Sequence, residues 1–272
     1  MSRTPDAEHA DLLAWFARHG VAPPASLEVV ADIDSTNSAL LRARTPRAGL
    51  AVMLADAQHG GRGRLGRTWA SPPGANLYLS VSRCFEGGLE RLAGLGLVAG
   101  VAVAQVVHRL GAPHVRVKWP NDLVVDDGAQ LRKLGGILVE GGLQDGVARA
   151  VIGIGLNLHM PPSAAAGIDQ PWIDLEALLG ESRPPRADVA AAVVARLGEA
   201  LAEFATEGLA PTLEALRACD ALADAPVVVV MGGTEVRGVT DGLDADGALR
   251  LRTADGVVRV HGGEVRVRRA PA

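Results

Sequence analysis

The stretch that most restricts the fold of this chain runs from Gln58 to Trp69 and reads QHGGRGRLGRTW. Its spaced glycines satisfy the G-x-G-x-x-G pattern of dinucleotide-binding folds and nearly satisfy the P-loop pattern. Both folds need a helix that begins at the last glycine, because the helix N-terminus holds the phosphate. Pro72 and Pro73 follow too closely for such a helix to form. The stretch therefore predicts a loop that follows a strand and binds an anion with side chains.

Three arginines alternate with the glycines of this loop, at Arg62, Arg64 and Arg67. Glycine lets the backbone approach a ligand closely, and arginine carries a planar fork of donors that suits carboxylates and phosphates. The combination indicates a flexible loop that closes over an anionic ligand. A solvated basic turn is the alternative that the sequence leaves open.

The composition narrows the class of protein. A chain of 272 residues with 48% hydrophobic composition is long enough for one sizeable core and a small satellite domain. A net charge of -4 and 3% aromatic residues argue against a general affinity for nucleic acid. Cys84 and Cys219 lack metal-ligand spacing and indicate structural thiols in a reducing compartment. With no signal peptide and no apolar run of about 20 residues, we expect a soluble cytoplasmic protein without a membrane partner.

Lysine and asparagine are rare, although arginine is abundant. The chain contains 27 lysines and arginines in total, of which only Lys118 and Lys133 are lysines. The asparagines are equally few, namely Asn37, Asn76, Asn121 and Asn157. We interpret the remaining lysines and asparagines as positions where arginine, aspartate or serine could not replace them. Random drift under a coding bias would instead have scattered these residues along the chain. All but one lie in the polar motifs described below, and Asn76 follows the arginine loop.

Periodicity and turn signals place these motifs on strands, helices and loops. They predict helices over residues 6–19, 89–110, 189–207 and 211–219, the third of them capped by Asp188. They predict strands over residues 27–33, 50–57, 76–83, 115–119, 123–125 and 147–158, and a further strand that begins at Lys133. From Pro226 onward, short strands alternate with glycine turns, which predicts a small β-barrel.

Several polar residues lie where predicted elements meet. Ser35 and Thr36 follow a strand and can either cap the next helix or bind a neutral polar ligand. Lys133 begins a return strand and should lie close to Asp122, although a strand-end lysine often only extends toward solvent. Glycines inside a predicted strand, at Gly153 and Gly155, indicate that a ligand approaches closely.

Five motifs together resemble those of biotin protein ligases. They are DSTN (34–37), GRGRLGRTW (61–69), KWPNDL (118–123), KLGGILVE (133–140) and GIGLN (153–157), in the family's order and spacing. The resemblance implies an α+β fold, a mixed β-sheet with helices packed on it as in class II aminoacyl-tRNA synthetases and biotin ligases, over residues 1–223. It implies an SH3-like barrel over residues 224–272 and the monofunctional class, which lacks a DNA-binding domain. One departure is Gly135, where many members have alanine, and we expect it to matter little.

The resemblance implies a reaction in two steps. Biotin and ATP, with Mg²⁺, give biotinyl-5′-AMP and pyrophosphate, and the biotin is then passed to a lysine of a biotin carboxyl carrier domain. The residues fit this chemistry independently, because arginine and lysine in a closed site can hold two reacting anions together. Closure of the loop would also protect the mixed anhydride from water. A monomer or a homodimer that does not bind DNA is expected.

The resemblance also implies residue roles. Catalysis is assigned to Lys133, Arg64 and Asp122, with Asp122 also a candidate ligand of Mg²⁺. Biotin binding is assigned to Ser35, Thr36, Asn37, Gln58, Gly61, Arg62, Gly63, Arg64, Trp119, Lys133, Gly153 and Gly155. ATP binding is assigned to Arg64, Arg67, Trp69, Asn121, Asp122, Lys133, Asn157 and Trp172. Lys133 would bridge the biotin carboxyl group and the α-phosphate.

Two alternatives belong to other functional classes. A lipoate ligase would share the fold and the chemistry but should not carry the GRGRLGR loop. A small-molecule sensor would need the pocket but not Lys133. Biotin-dependent release of pyrophosphate from ATP would distinguish all three.

Overall fold

Seven strands from the first part of the chain form one mixed sheet in the computed structural model, which describes residues 4–231, 233–262 and 265–269. The strands are β1 (Ser26–Ile33), β2 (Ala51–Gln58), β3 (Leu77–Phe85), β4 (Arg116–Lys118), β5 (Asp122–Asp126), β6 (Leu131–Gln144) and β7 (Val147–Leu156). Their order is β1-β2-β3-β7-β6-β5-β4, with β1 and β2 parallel and the other pairs antiparallel. This order brings residues from distant parts of the chain together around β7.

Helices cover the sheet and complete the core. They are α1 (Pro5–His19), α2 (Thr36–Arg42), α3 (Leu95–Arg109), α4 (Pro162–Ala165), α5 (Leu175–Leu179), α6 (Arg186–Glu207) and α7 (Ala210–Arg217). Helix α3 is rich in small apolar residues and is buried along nearly its whole length, because α6 and the sheet pack against it. The predicted α+β class is confirmed.

The predicted helix over residues 89–110 is interrupted. Residues Leu89–Leu92 form a single 3-10 turn, and α3 begins only after Gly94, whose φ is +84°. A side chain at Gly94 would lie 2.8 Å from the Leu209 side chain, so glycine also permits close packing here. By length and composition, Leu89–Arg109 could cross a membrane, but 61% of its apolar window is buried inside the protein. It is therefore a core helix of this fold.

The start of α6 also differs from the sequence prediction. The helix begins at Arg186 after Pro185, and Asp188 lies within its first turn instead of capping it. The guanidinium group of Arg186 contacts Glu8 of α1 at 2.5 Å and Asp56 of β2 at 3.1 Å. This ion-pair network ties α1 and α6 to the strand that leads into the arginine loop.

The carboxyl-terminal residues form a second, all-antiparallel sheet. Its strands are β8 (Pro226–Met231), β9 (Thr234–Leu243), β10 (Leu249–Thr253), β11 (Gly256–Val260) and β12 (Val265–Arg269), in the order β11-β10-β9-β8-β12. The predicted short strands are confirmed where they fall on described residues, whereas Glu264 and the second glycine of the 262–263 turn lie outside them. An SH3-like barrel is consistent with this sheet, and the domain boundary at 223/224 stays a prediction.

The second sheet is attached beside the edge of the first. The Trp119 indole Nε1 donates a hydrogen bond to the Gly247 carbonyl oxygen at 3.0 Å, and Trp119 is buried at this junction. An ion pair of 2.6 Å joins Arg269 of β12 to Asp126 of β5. These contacts place β12 next to strands β4 and β5, which carry the KWPNDL motif.

The pKa values of the two cysteines are raised. Both are free thiols, Cys84 partly buried and Cys219 buried. Burial raises the pKa of both thiols, that of Cys219 to about 11. Because the thiolate is the nucleophilic form, these shifts disfavour nucleophilic reaction at either side chain. The structural role predicted for them stays a prediction.

Candidate active site

A cavity of about 510 Å³ opens where the arginine loop, the start of α2, strands β5 to β7 and the second sheet meet. Most of the site residues assigned from the sequence line it, namely Ser35, Thr36, Asn37, Gln58, Arg62, Gly63, Arg64, Arg67, Trp69, Trp119, Asn121, Asp122, Lys133, Gly153 and Gly155. A second cavity of about 300 Å³ adjoins it and contains Asn157 and Trp172. Arg67, Trp69 and Lys133 line both cavities, so the two form neighbouring compartments.

Lys133 and Asp122 form an ion pair inside the larger cavity. The Lys133 Nζ lies 2.7 Å from Asp122 Oδ1, and the two side chains are 18% and 22% exposed. The pairing arises because β5 and β6 are antiparallel neighbours, which places the end of KWPNDL beside the start of KLGGILVE. Lys133 Nζ also lies 5.4 Å from the centroid of the Trp69 ring, within cation–π range. The predicted proximity of Lys133 and Asp122 is confirmed.

Arg64 extends from the loop into this cavity. Its Nη1 donates to Asn121 Oδ1 at 3.0 Å, and Asn121 Nδ2 donates to the Ile137 carbonyl oxygen at 2.8 Å. Strand β6 therefore orients the Asn121 amide, and the amide in turn orients Arg64. Burial lowers the pKa of the Arg64 guanidinium group, while the Asp122 charge opposes that shift. The group stays protonated at neutral pH, so a partly buried positive charge lies in the cavity wall.

The opposite end of the cavity contains neutral hydrogen-bonding groups. Gln58 Oε1 accepts from Thr36 N at 2.9 Å and from Thr36 Oγ1 at 3.2 Å, while Gln58 Nε2 donates to Ser71 Oγ at 3.1 Å. Ser35 caps α2 and also lines the cavity, so its two predicted roles are compatible. Ser80 was missed by sequence reasoning; its buried hydroxyl donates to Asn37 Oδ1 at 2.6 Å. The available signal was the pair of serines, Ser80 and Ser82, in the otherwise mostly apolar strand β3.

Two basic residues without an assigned role also line the larger cavity. Lys118 lies in its wall, and burial lowers the pKa of its ammonium group. Arg268 reaches the cavity from β12 of the second sheet. Lysine scarcity was the sequence signal for Lys118. No local pattern marks Arg268, because only the docking of the two sheets brings it here.

The two glycines of GIGLN make room for protein side chains. A Cβ atom at Gly153 would lie 2.5 Å from Asn37 Oδ1, and one at Gly155 would lie 2.5 Å from Trp69 Cε2. The space that we attributed to a ligand beside these glycines is therefore occupied by Asn37 and Trp69. The buried Trp69 Nε1 has no hydrogen-bond partner among the described residues, which leaves a donor at the boundary of the two cavities. Gly61 similarly lies against Ser71 and the Trp69 carbonyl group.

Asn157 has a structural role in this geometry. Its Nδ2 donates to the Lys133 carbonyl oxygen at 3.3 Å and to the Ile173 carbonyl oxygen at 3.1 Å. The residue is buried and so holds the segment that carries Trp172 against β6. The assignment of Asn157 and Trp172 to the nucleotide stays a prediction.

Replacing Gly135 with alanine should destabilise this chain, although we expected the departure from alanine at this position to matter little. A Cβ atom at Gly135 would lie 2.7 Å from the Gly155 carbonyl oxygen of the neighbouring strand. We expect Gly135→Ala to lower the free energy of unfolding by about 1–3 kcal/mol, as overpacking does. Urea denaturation would measure it, with Gly142→Ala as the control, because a Cβ atom at Gly142 meets nothing within 4 Å. Equal stability of the two variants would restore the expectation that Gly135 matters little.

Comparisons with known proteins agree with this geometry. Residues 29–157 match the model of the biotin/lipoate A/B protein ligase family, and residues 225–268 match that of the biotin protein ligase C-terminal domain. The chain is 42% identical over 248 residues to the bifunctional ligase/repressor BirA of Escherichia coli, covering 90% of this chain and 75% of that protein. It is 34% identical over 245 residues to the biotin--[acetyl-CoA-carboxylase] ligase of Paracoccus denitrificans, covering 87% and 98%.

A solved structure extends the likeness to the fold. The biotin protein ligase of Aquifex aeolicus in complex with biotin and ATP superposes with a TM-score of 0.75 at 26% identity, covering 90% of this chain and 100% of that one. The resemblance inferred from the five motifs is thus confirmed independently by sequence and by fold. The chain belongs to the biotin protein ligase family.

Proposed function

We propose that this chain is an ATP-dependent biotin protein ligase, which converts biotin and ATP to biotinyl-5′-AMP and then biotinylates a lysine of a carrier protein. The observation that carries the proposal is the Lys133–Asp122 ion pair in a cavity lined by arginines. Two anions can be held side by side only where positive charge is concentrated and water is scarce. The family to which the chain belongs supports the same reaction.

The first step requires a carboxylate oxygen of biotin to attack the α-phosphorus of ATP, with pyrophosphate leaving. Lys133 can neutralise both anions, because its ammonium group is a compact charge with three donors. Arg64 and Arg67 can hold phosphate oxygens from the side of the loop. Asn121 would then act by keeping Arg64 in place.

The second step requires the acceptor amine to lose a proton as it attacks the acyl carbon, with AMP leaving. Asp122 lines the cavity beside Lys133, so it is the candidate base. Its Oδ1 lies 2.7 Å from Lys133 Nζ, so the candidate base of this step is adjacent to the cation of the first step. A single residue pair thus supports both steps.

The neutral end of the cavity favours biotin over lipoate. Thr36 and Gln58 present hydroxyl and amide groups, and the neighbouring Ser35 lines the same wall. The ureido ring of biotin has donors and an acceptor that can match these groups, whereas the dithiolane ring of lipoate has neither. Unpaired buried polar groups are costly, so the wrong ligand would bind less tightly.

The site is compatible with a Mg²⁺ ion that is held mainly by the phosphates of the bound nucleotide. Among the described residues, no group of three or more histidine, cysteine, aspartate or glutamate side chains is placed to hold a metal. Mg²⁺ in such sites is commonly held by one or two carboxylates together with substrate phosphates. Asp122 would be the protein ligand, and the ion would neutralise the charge on the phosphates.

The acceptor is the biotin carboxyl carrier domain of a biotin-dependent carboxylase, as the name of the Paracoccus relative suggests for that protein. A cytoplasmic location, a monomeric or homodimeric state and the absence of a DNA-binding role complete the proposal. The net charge of -4 supports the last of these.

Pyrophosphate release tests the proposed function directly. The protein should release pyrophosphate from ATP when biotin is present and should not do so with lipoate. Calorimetric titration with biotin and then ATP would show whether both bind and whether bound biotin changes the affinity for ATP. Biotin binding without pyrophosphate release would indicate a sensor, and lipoate-dependent release would indicate a lipoate ligase.

The arginine loop should become resistant to proteolysis when the intermediate binds. The base of the loop is held by hydrogen bonds from Gly63 N to the Arg67 carbonyl oxygen and from Trp69 N to the Gly61 carbonyl oxygen. Its tip has few backbone hydrogen bonds, so it should open readily without ligand. Cleavage by an Arg-specific protease after Arg62 and Arg64 should slow by about tenfold or more with saturating biotinyl-AMP.

Mass spectrometry of the digest would follow each site separately. Cleavage after Arg237, which is exposed in the second sheet, serves as the internal control and should keep its rate. Equal cleavage of the loop with and without biotinyl-AMP would show that the loop is not a lid.

A further inference from the structure

Glu140 ends the KLGGILVE motif but has no part in the proposed chemistry. It lies on β6 seven residues after Lys133, outside the residues that line the cavity. Its side chain is 29% exposed, so the carboxylate has given up much of its hydration. Partial desolvation of a carboxylate is unfavourable unless the group is hydrogen-bonded or paired with a cation, so its contacts should explain its position.

The Glu140 carboxylate is fixed by a buried amide. Asn37 Nδ2 donates to Glu140 Oε2 at 2.8 Å, and Asn37 is only 3% exposed. The amide orientation is set from the other side, because Ser80 donates to Asn37 Oδ1 and because Gly153 leaves room for the Asn37 side chain. Glu140 is therefore positioned by the core before any ligand binds.

The same carboxylate contacts the arginine loop. Arg62 Nη2 lies 3.3 Å from Glu140 Oε1 and 3.5 Å from Oε2. The described contacts of Arg62 with Glu140 use only this terminal nitrogen, whereas a guanidinium group has five N–H donors. Arg62 can thus hold Glu140 and still present its remaining donors to the cavity, which it lines.

We propose that Glu140 is a positioning residue, which holds Arg62 of the loop in its ligand-binding orientation through the chain Ser80–Asn37–Glu140–Arg62. This inference rests on the proposed function, because that function assigns biotin binding to Arg62. It links the DSTN motif, the arginine loop and KLGGILVE, which are separated along the sequence. The role differs from catalysis, since Glu140 acts only through Arg62.

The ion pair between Arg62 and Glu140 should affect the binding of biotin and not the chemical step. A preoriented Arg62 lowers the cost of ordering the loop when biotin binds. The adenylation step depends on Lys133 and Asp122, which lie at the other part of the cavity and do not contact Glu140. Loss of the Glu140 charge should therefore raise the KM for biotin and accelerate biotin dissociation, while kcat and the KM for ATP stay unchanged.

Glu140→Gln isolates the charge without changing the size of the side chain. Its amide oxygen can still accept from Asn37, but its NH₂ group then faces the donor of Arg62. We expect the KM for biotin and the biotin dissociation rate to rise about two- to fivefold, the range for one partly exposed ion pair. Without ligand, cleavage after Arg62 by an Arg-specific protease should be faster by a similar factor.

Glu86→Gln is the matched control. Glu86 pairs with Arg47 at 3.2 Å on the protein surface, so the substitution removes an ion pair of the same type away from the cavity. It should leave the biotin KM and the cleavage at Arg62 unchanged. Glu140→Asp keeps the charge on a shorter side chain and should restore part of the biotin affinity that the glutamine variant loses.

The outcomes separate this inference from the proposed function. An unchanged biotin KM or an unchanged cleavage rate at Arg62 in Glu140→Gln would overturn the positioning role. A fall in kcat at saturating biotin with equal biotin KM would overturn it as well, because it would place Glu140 in the chemical step. Failure of the wild-type protein to release pyrophosphate with biotin would instead contradict the proposed function.

Discussion

Lys133→Arg is expected to abolish formation of biotinyl-5′-AMP while the protein stays folded. Lys133 Nζ lies between Asp122 and the Trp69 ring, and its terminal atoms lie 3.3 Å from the position of a Cβ atom at Gly136. A guanidinium group is larger and planar, so it would pair with both oxygens of Asp122 and would not place a compact charge between the biotin carboxylate and the α-phosphate. We expect the rate of biotin-dependent pyrophosphate exchange to fall at least about a hundredfold, as for loss of a preorganised electrostatic contact.

The fold should survive this substitution. Lys133 is 18% exposed at one end of β6, so the larger side chain can be accommodated by a local shift. The circular dichroism spectrum and the thermal denaturation curve should match those of the wild type. Arg237→Lys is the control, because it exchanges the same two residue types at an exposed position of the second sheet and should change neither stability nor activity. Near wild-type formation of the adenylate by Lys133→Arg would show that the assignment of Lys133 is wrong.

The sequence predicts those parts of the site that depend on neighbouring residues. The loop was predicted because glycine, arginine and proline act locally, and the proximity of Lys133 to Asp122 followed from a hairpin with a short turn. The start of α6 was missed because Asp188 had the right chemistry for a cap but the wrong position, and Pro185 provided the boundary. Local signals of this kind locate a helix or strand to within a few residues. They seldom identify its first residue.

Contacts between distant segments were beyond the reach of local signals. Arg62 meets Glu140 only because the loop after β2 crosses over toward β6. Arg268 reaches the cavity only because the second sheet docks through Trp119. The identity of the neighbours of Gly153 and Gly155 likewise depends on the order of strands in the sheet. These features follow from tertiary packing, which no periodicity in a single segment encodes.

Arg64→Gly is expected to release the reactive intermediate without stopping its formation. Arg64 is held toward the cavity by Asn121 and should retain the phosphate of biotinyl-AMP as part of the lid. Loss of one charge-assisted contact typically removes about 1.5–3 kcal/mol, which corresponds to about ten- to a hundredfold weaker retention. The mixed anhydride would then diffuse into solution and acylate exposed lysines without recognition of a carrier.

Because the ligase contains few lysines, labelling of a bystander protein can be distinguished from labelling of the ligase itself. The ligase has only Lys118 and Lys133, one in the cavity wall and the other paired with Asp122, so neither is a freely exposed surface lysine. A lysine-rich bystander protein added to Arg64→Gly should therefore become biotinylated, while the lysines of the ligase stay largely unlabelled in peptide mass spectra. Arg91→Gly, which removes an arginine that contacts the Ala205 carbonyl group away from the cavity, is the control and should leave the bystander unlabelled. Labelling confined to the carrier domain, at the normal rate, would show that Arg64 does not retain the intermediate.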